Sequence, residues 1–238
     1  MASGYEPPPG AVKRKAERPR HHLKTFTGFL QADAYAGFKG LYEPTRSEPG
    51  PIVEVACWAH CRHKIFDVWE GTRSPVAKEA LDRIAAIYAV EAEARGQAVA
   101  ERLRIRAAAK PPLANLFDWM AATVVRLLAK SALAEAFRYT LKRRAALSRF
   151  LDDARLEADN NIAENALRGI ALGRRNWTFA GSDAGGDRAA SMYTLIGTAK
   201  LNGLDPEVWL RDVLVRIADG HPISRIEELL PWNSSTLQ

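Results

Sequence analysis

Phe29-Leu30-Gln31-Ala32-Asp33 is a short apolar run that ends on a carboxylate. Nineteen residues after its end, Ile52-Val53-Glu54-Val55-Ala56 is a β-branched run that follows a Pro/Gly-rich loop, Pro44 to Pro51. Both have the length and composition of short buried strands. The Tyr35–Tyr42 segment between them is long enough for the helical crossover that parallel strands need. These two runs therefore predict a small α/β fragment.

Downstream of Cys57 the period changes from strand to helix. Ser74-Pro75 has the residues of an N-cap and first helical position, and Leu81, Ile84 and Tyr88 follow on one face. Gly96 interrupts that pattern. Pro111-Pro112 starts another helix, whose Leu113, Leu116, Phe117, Met120, Val124, Leu127 and Leu128 keep helical spacing. Ser131 caps a third, with Leu133, Phe137 and Leu141 inward and Arg138, Lys142, Arg143 and Arg144 largely outward. Asp159-Asn160-Asn161 caps a helix reaching about Asn176; Ile162, Ala163, Ala166, Leu167 and Ile170 form its apolar arc, and Asn161, Glu164, Arg168 and Arg175 the opposite one. A Gly/Ser loop, Gly181 to Gly186, precedes helices over Asp187–Asn202, capped by Asp187, and Asp205–Asp219. The expected fold class is mainly α with a small α/β part.

The chain has 238 residues, 47% of them apolar, a composition that excludes collagen-like and wholly disordered chains and suffices for a real core. No apolar run is long enough to span a membrane, and the N-terminus has no signal-peptide core, so the cytoplasm is expected. Residues 1–24 are Pro-rich, then basic, and read as a disordered leader. Net charge is +6, unevenly spread: between Glu101 and Phe150 eleven Lys/Arg face three acids. Such a concentration fits a nucleic-acid partner, and equally a well-solvated helical surface.

Three constellations have the residue types for chemistry. Asp33 closes a strand, where α/β sheets place ligand-binding groups, and Glu164 lies on the polar arc of a later helix. Hard divalent ions need carboxylate oxygens from separate elements, although a strand-end Asp is also a common turn former and a helix Glu is commonly solvated. Cys57-Trp58-Ala59-His60-Cys61-Arg62-His63 is dense enough to suggest zinc. Cys57 and Cys61 share a helix face that His63 does not, so four tetrahedral ligands cannot come from this stretch alone, and buried cysteines with a packed Trp are the better account. Gly181-Ser182-Asp183-Ala184-Gly185-Gly186 lacks the Lys-Ser/Thr of a phosphate-binding loop and follows no strand.

Taken in order, Leu30-Gln31-Ala32-Asp33-Ala34-Tyr35-Ala36-Gly37, Cys57-Trp58-Ala59-His60, Asp159-Asn160-Asn161 with Glu164, Ala180 to Gly186, and Lys200-Leu201-Asn202-Gly203-Leu204-Asp205-Pro206 with Pro231-Trp232 resemble the C-terminal part of the transposases of insertion-sequence family 66. The resemblance covers about residues 19–233. It implies a partial ribonuclease-H-like core (25–74), an all-helical insertion (75–150), the rest of the catalytic core with the Glu helix (151–202) and a C-terminal helical region (203–238). It also implies an Asp-Asp-Glu site for two Mg²⁺ ions, with Asp33 as the second Asp and Glu164 as the Glu. Lys64, Arg168, Arg174 and Arg175 would face DNA phosphates, and Cys57 and His60 would form a structural Cys-x-x-His motif. The implied activity is metal-dependent DNA strand cleavage and strand transfer, with element ends and target DNA as partners and other transposase subunits as possible ones.

Three positions depart from the family pattern. Its first catalytic Asp lies on an upstream strand, and residues 1–32 contain no Asp. Glu164-Asn165-Ala166-Leu167-Arg168 stands where the family has Glu-Arg-Ala-Leu-Arg, and Arg144-Ala145 where it has a Trp followed by an acid. A catalytically inactive DNA-binding remnant, or an inhibitor of the full-length transposase, is the alternative expectation.

Overall fold

The computed structural model describes residues 17–33, 36–43, 45–46, 49–161, 163–166, 168 and 182–234. The chain divides into two compact units, Met1–Asn161 and Ile162–Gln238.

In the first unit, strands β1 (Gly28–Ala32) and β2 (Ile52–Ala56) pair in parallel, with Gly28 opposite Ile52 and Ala32 opposite Ala56. The crossover contains a 3₁₀ turn, Ala36–Leu41. The chain re-enters the sheet through Gly50, whose φ of +148° and close approach to the Thr27 side chain leave no room for a Cβ at ordinary cost. Arg46 closes this loop. Its guanidinium donates to the carbonyls of Leu23, Lys24, Phe26 and Gly50.

That anchoring corrects the expected leader in part. Residues 17–22 form a short helix, α1 (Glu17–His22), packed by the 3₁₀ turn, and the Arg20 guanidinium lies against Gly40. A distant arginine and a glycine contact hold this segment, and neither leaves a periodic signal. Residues 1–16 lie outside the described residues.

Helices follow the strands. Trp58, Cys61 and Ile65 make the inner face of α2 (Trp58–Thr72). In α3 (Pro75–Ala94), Ala77, Ala80, Leu81, Ile84 and Ile87 repeat at helical spacing, and the Ser74 hydroxyl accepts the Ala77 N–H at the N-terminus. Then come α4 (Val99–Ala107), α5 (Lys110–Val124), α6 (Ala132–Leu141) and α7 (Arg144–Ser148). Leu113, Leu116, Phe117 and Met120 of α5 meet Leu133, Ala136 and Phe137 of α6 in one continuous core with α2 and α3. The Ser131 hydroxyl caps α6 through the Ala134 N–H. The α5 pattern ends sooner than its spacing predicts: the helix stops at Val124, and Leu128 is 83% exposed.

Hydrogen bonds tie the strands to the helices. The Trp58 indole donates to the Leu147 carbonyl at 2.9 Å, Arg149 to the Glu54 carbonyl at 2.6 Å, and Gln31 to the Glu157 carbonyl at 2.7 Å. The helix α4, which has no apolar stripe, is held by charge. Arg106, fully buried, bonds the Glu91 carboxylate and the carbonyls of Phe150, Asp153 and Leu156.

The second unit contains α8 (Asp183–Leu201) and α9 (Pro206–Ala218) around Ala199, Leu204 and Trp209, whose indole donates to the Leu229 carbonyl at 3.1 Å. The Asp205 carboxylate caps α9 through the Glu207 and Val208 N–H groups, with Pro206 in the first turn. The helix α8 starts four residues before the expected Asp187. Ser182 caps it by accepting the Gly185 N–H at 3.1 Å, so Gly185 and Gly186 belong to the helix. A serine satisfies the first-turn donors, and that outweighs the low helix propensity of two glycines.

Candidate functional site

Asp33 is the first residue past the C-terminal end of β1, and it is exposed. Among the described residues no cation lies within ion-pair distance of it. Its charge is felt nearby: the Tyr42 phenol is pushed well above its ordinary range by burial, then by Glu54 and Asp33. The Tyr139 phenol is raised by burial, Cys61 and Asp33 against the opposing effect of Arg143. An exposed carboxylate without a protein cation is the donor type that Mg²⁺ takes, one or two carboxylates being completed by water and phosphate oxygens.

Cys57 closes β2 and caps α2, and His60 lies in the first turn. A His60 ring nitrogen and the Cys57 sulfur lie within 4.8 Å of one another. Both cysteines are free and buried. Burial raises the Cys57 thiol and pushes Cys61 up to about 11, so neither is a ready thiolate. The Asn160 N–H points to the Cys57 sulfur at 3.5 Å, and the Tyr88 hydroxyl donates to Asp159 at 3.3 Å. The Asp159-Asn160 pair is therefore pinned to α2 and α3.

Glu164 and Arg168, in the second unit, lie on helical backbone and are exposed. Ala163 and Ala166, expected on the buried arc, are exposed as well; a methyl group supplies little drive for burial. Arg174 and Arg175 lie outside the described residues. Lys64 is exposed on α2, with its ammonium 4.8 Å from the Tyr139 ring centroid.

The dense positive charge of 101–150 is partly neutralised by carboxylates. Arg102, Arg104, Arg106, Lys110 and Arg144 pair with Glu91 and Glu157, Glu101, Glu91, Asp152 and Asp118. Among the described residues, the cations of this stretch that reach no carboxylate include Arg138, Lys142 and Arg143, together at the end of α6. Spacing alone does not separate neutralised from available charge. Tyr139 carried no signal of its own either, because it reads as one more residue of an amphipathic helix.

The first unit is a helical domain built on a parallel strand pair, with an acid past the strand end and, among the described residues, cations on α2 and at the end of α6 that reach no carboxylate. Residues 9–188 match the Transposase IS66 family and residues 194–232 the IS66 C-terminal element, and the chain belongs to that family. It is similar to the uncharacterized proteins y4hP and y4qI of Sinorhizobium fredii. It is 41% identical to the first over 247 residues, covering 96% of this chain and 44% of the relative, and 39% identical to the second over 238 residues, covering 97% and 44%. The chain thus spans less than half the length of these curated relatives. No solved structure matches it. Among the described residues, no helix is long and apolar enough to cross a membrane.

Proposed function

We propose that this chain serves DNA transposition in the cytoplasm, with Asp33 and Glu164 each acting as a ligand for Mg²⁺ within a partial ribonuclease-H-like core. Membership of the Transposase IS66 family carries this reading. The exposed, unneutralised carboxylate of Asp33 at the strand end supports it. Mg²⁺, when bound, lowers the pKa of an attacking water and stabilises the leaving oxygen of the phosphodiester. The chain's own cations, with Lys64, Arg168, Arg174 and Arg175 among them, hold backbone phosphates and so position the duplex without reading its sequence. Cys57 and His60 secure the turn between β2 and α2.

A second reading is a chain that binds DNA without cutting it, alone or as an inhibitor of a longer transposase. Lys64, Arg138, Lys142 and Arg143, which reach no carboxylate among the described residues, favour it, because phosphate contacts give affinity without a metal site. One experiment separates the two. Binding to duplex DNA is followed by fluorescence anisotropy, and cleavage of a substrate with the element ends is followed in Mg²⁺, for the unaltered chain and Asp33→Asn. Cleavage lost in Asp33→Asn supports the first reading, and binding with no cleavage supports the second. No binding to any duplex would overturn both.

A further inference from the structure

We propose that Tyr139, Lys64 and Arg143 form a seat for one backbone phosphate of a DNA strand. This deepens the DNA-binding reading and rests on it. The Lys64 ammonium and the Arg143 guanidinium lie 4.8 and 3.9 Å from the centroid of the same Tyr139 ring. They come from different elements, α2 and the residue pair just after α6, which pack on one another. Two like charges gathered on one ring repel each other, and cation–π attraction of this kind contributes only about 0.5–2 kcal/mol. An anion resolves that conflict.

No protein anion does so among the described residues: neither Lys64 nor Arg143 lies within ion-pair distance of a carboxylate. Arg102, Arg104, Arg106 and Arg144 of the same stretch are by contrast all paired. Arg143 is also preset. Its Nη1 donates to the Tyr139 carbonyl at 2.9 Å, while its Nε is buried with no acceptor. Its Nη2 group has no hydrogen bond among the described residues, and a phosphate oxygen is the acceptor a guanidinium suits best. The phenol hydroxyl of Tyr139 has no hydrogen-bond partner among the described residues and supplies a further donor. A phosphodiester strand fits better than a free carboxylate ligand, because it offers a row of singly charged phosphates rather than one terminal group.

The test measures affinity of the 238-residue chain for a random-sequence duplex across a salt series. Lys64→Gln, Arg143→Lys, Arg143→Gln, Tyr139→Phe and the paired-cation control Arg104→Gln are compared with the unaltered chain. Lys64→Gln and Arg143→Gln should each weaken binding about fivefold to tenfold at 0.1 M salt and lower the salt slope by about 1. Arg143→Lys should recover much of the slope, and Tyr139→Phe should lose affinity with the slope unchanged. Arg104→Gln, which removes the same charge, should change affinity by about twofold or less. Equal losses for Arg143→Gln and Arg104→Gln, with circular dichroism unchanged, would overturn the seat and leave general DNA binding intact. No binding by the unaltered chain would overturn the DNA reading and the seat with it.

Discussion

Arg106 and Glu91 face each other in the core through two parallel bonds, Nε to Oε2 at 2.7 Å and Nη2 to Oε1 at 2.5 Å, with the arginine fully buried and the glutamate 3% exposed. The pair joins α4 to α3, and the remaining guanidinium protons reach the carbonyls of Phe150, Asp153 and Leu156. Arg102 shares the same carboxylate and extends to Glu157. Glu91→Gln leaves a buried guanidinium without its counter-charge and should cost about 3–5 kcal/mol of stability, measured by urea denaturation.

The same pair sets a pH dependence. Burial raises the Glu91 carboxyl, but hydrogen bonds from Arg106 and Arg102 outweigh it and hold it below its ordinary value. A depressed carboxyl stabilises the folded state above its unfolded value, and that contribution is lost as pH falls through the folded one. Stability of the unaltered chain should therefore hold near neutrality and fall as pH drops below about 4.5, the ordinary range of glutamate. In Glu91→Gln the acid loss should shrink. An identical acid profile in both proteins would remove Glu91 from the account.

The Trp58 indole carries the join between strand end and helical block. It is 1% exposed, donates to the Leu147 carbonyl and stacks 5.8 Å from Phe117. Trp58→Phe keeps much of the apolar volume but leaves a buried carbonyl unmet, which costs about 1–3 kcal/mol. The measurement is the thermal midpoint against the unaltered chain.

How much of this is visible in the residues follows from what each element uses. The strand pair and α3, α5 and α6 declare themselves, because Ile52–Ala56, Ser74-Pro75, Leu113–Met120 and Ser131 combine apolar period with a cap or breaker. The helix α4 does not, since its one inward residue is Arg106, and a buried ion pair has no hydrophobic period. The helix α1 packs on the 3₁₀ turn of the crossover, and Arg46 holds the carbonyls of Leu23, Lys24 and Phe26 that follow it, contacts that leave no period in the sequence. At the candidate site, Asp33 is legible as a carboxylate closing an apolar run. The Tyr139 seat is not, because Lys64 and Arg143 are 79 residues apart in sequence and meet only through the packing of α2 on α6.

The thiols of Cys57 and Cys61 should be slow nucleophiles. They stand four residues apart around the start of α2, both buried, with burial raising each and Cys61 pushed up to about 11. At pH 7.5 the Cys61 thiolate fraction is then below about one part in a thousand. Reaction with a disulfide reagent should be slow in the native chain and fast in denaturant, and oxidant should not link the two in the folded state. Rapid native labelling of both would mean that the α2 N-terminus opens.

Asp33→Asn should separate function from fold. The carboxylate is exposed past the end of β1, and among the described residues it forms no ion pair, so the folded state gains little from its charge. The substitution should shift stability by no more than about ±0.5 kcal/mol, the range of exposed sites without special contacts. It should also relieve the Tyr139 phenol of a neighbouring negative charge and lower its titration midpoint. An ultraviolet pH titration of tyrosine ionisation reads that shift in the folded chain. If Asp33 is a metal ligand, Asp33→Asn should in addition abolish any melting-temperature rise produced by Mg²⁺ or Mn²⁺, because an ion that binds only the folded state stabilises it. A metal-induced rise retained in Asp33→Asn would place the ion on other carboxylates, whatever the DNA affinity of the two proteins.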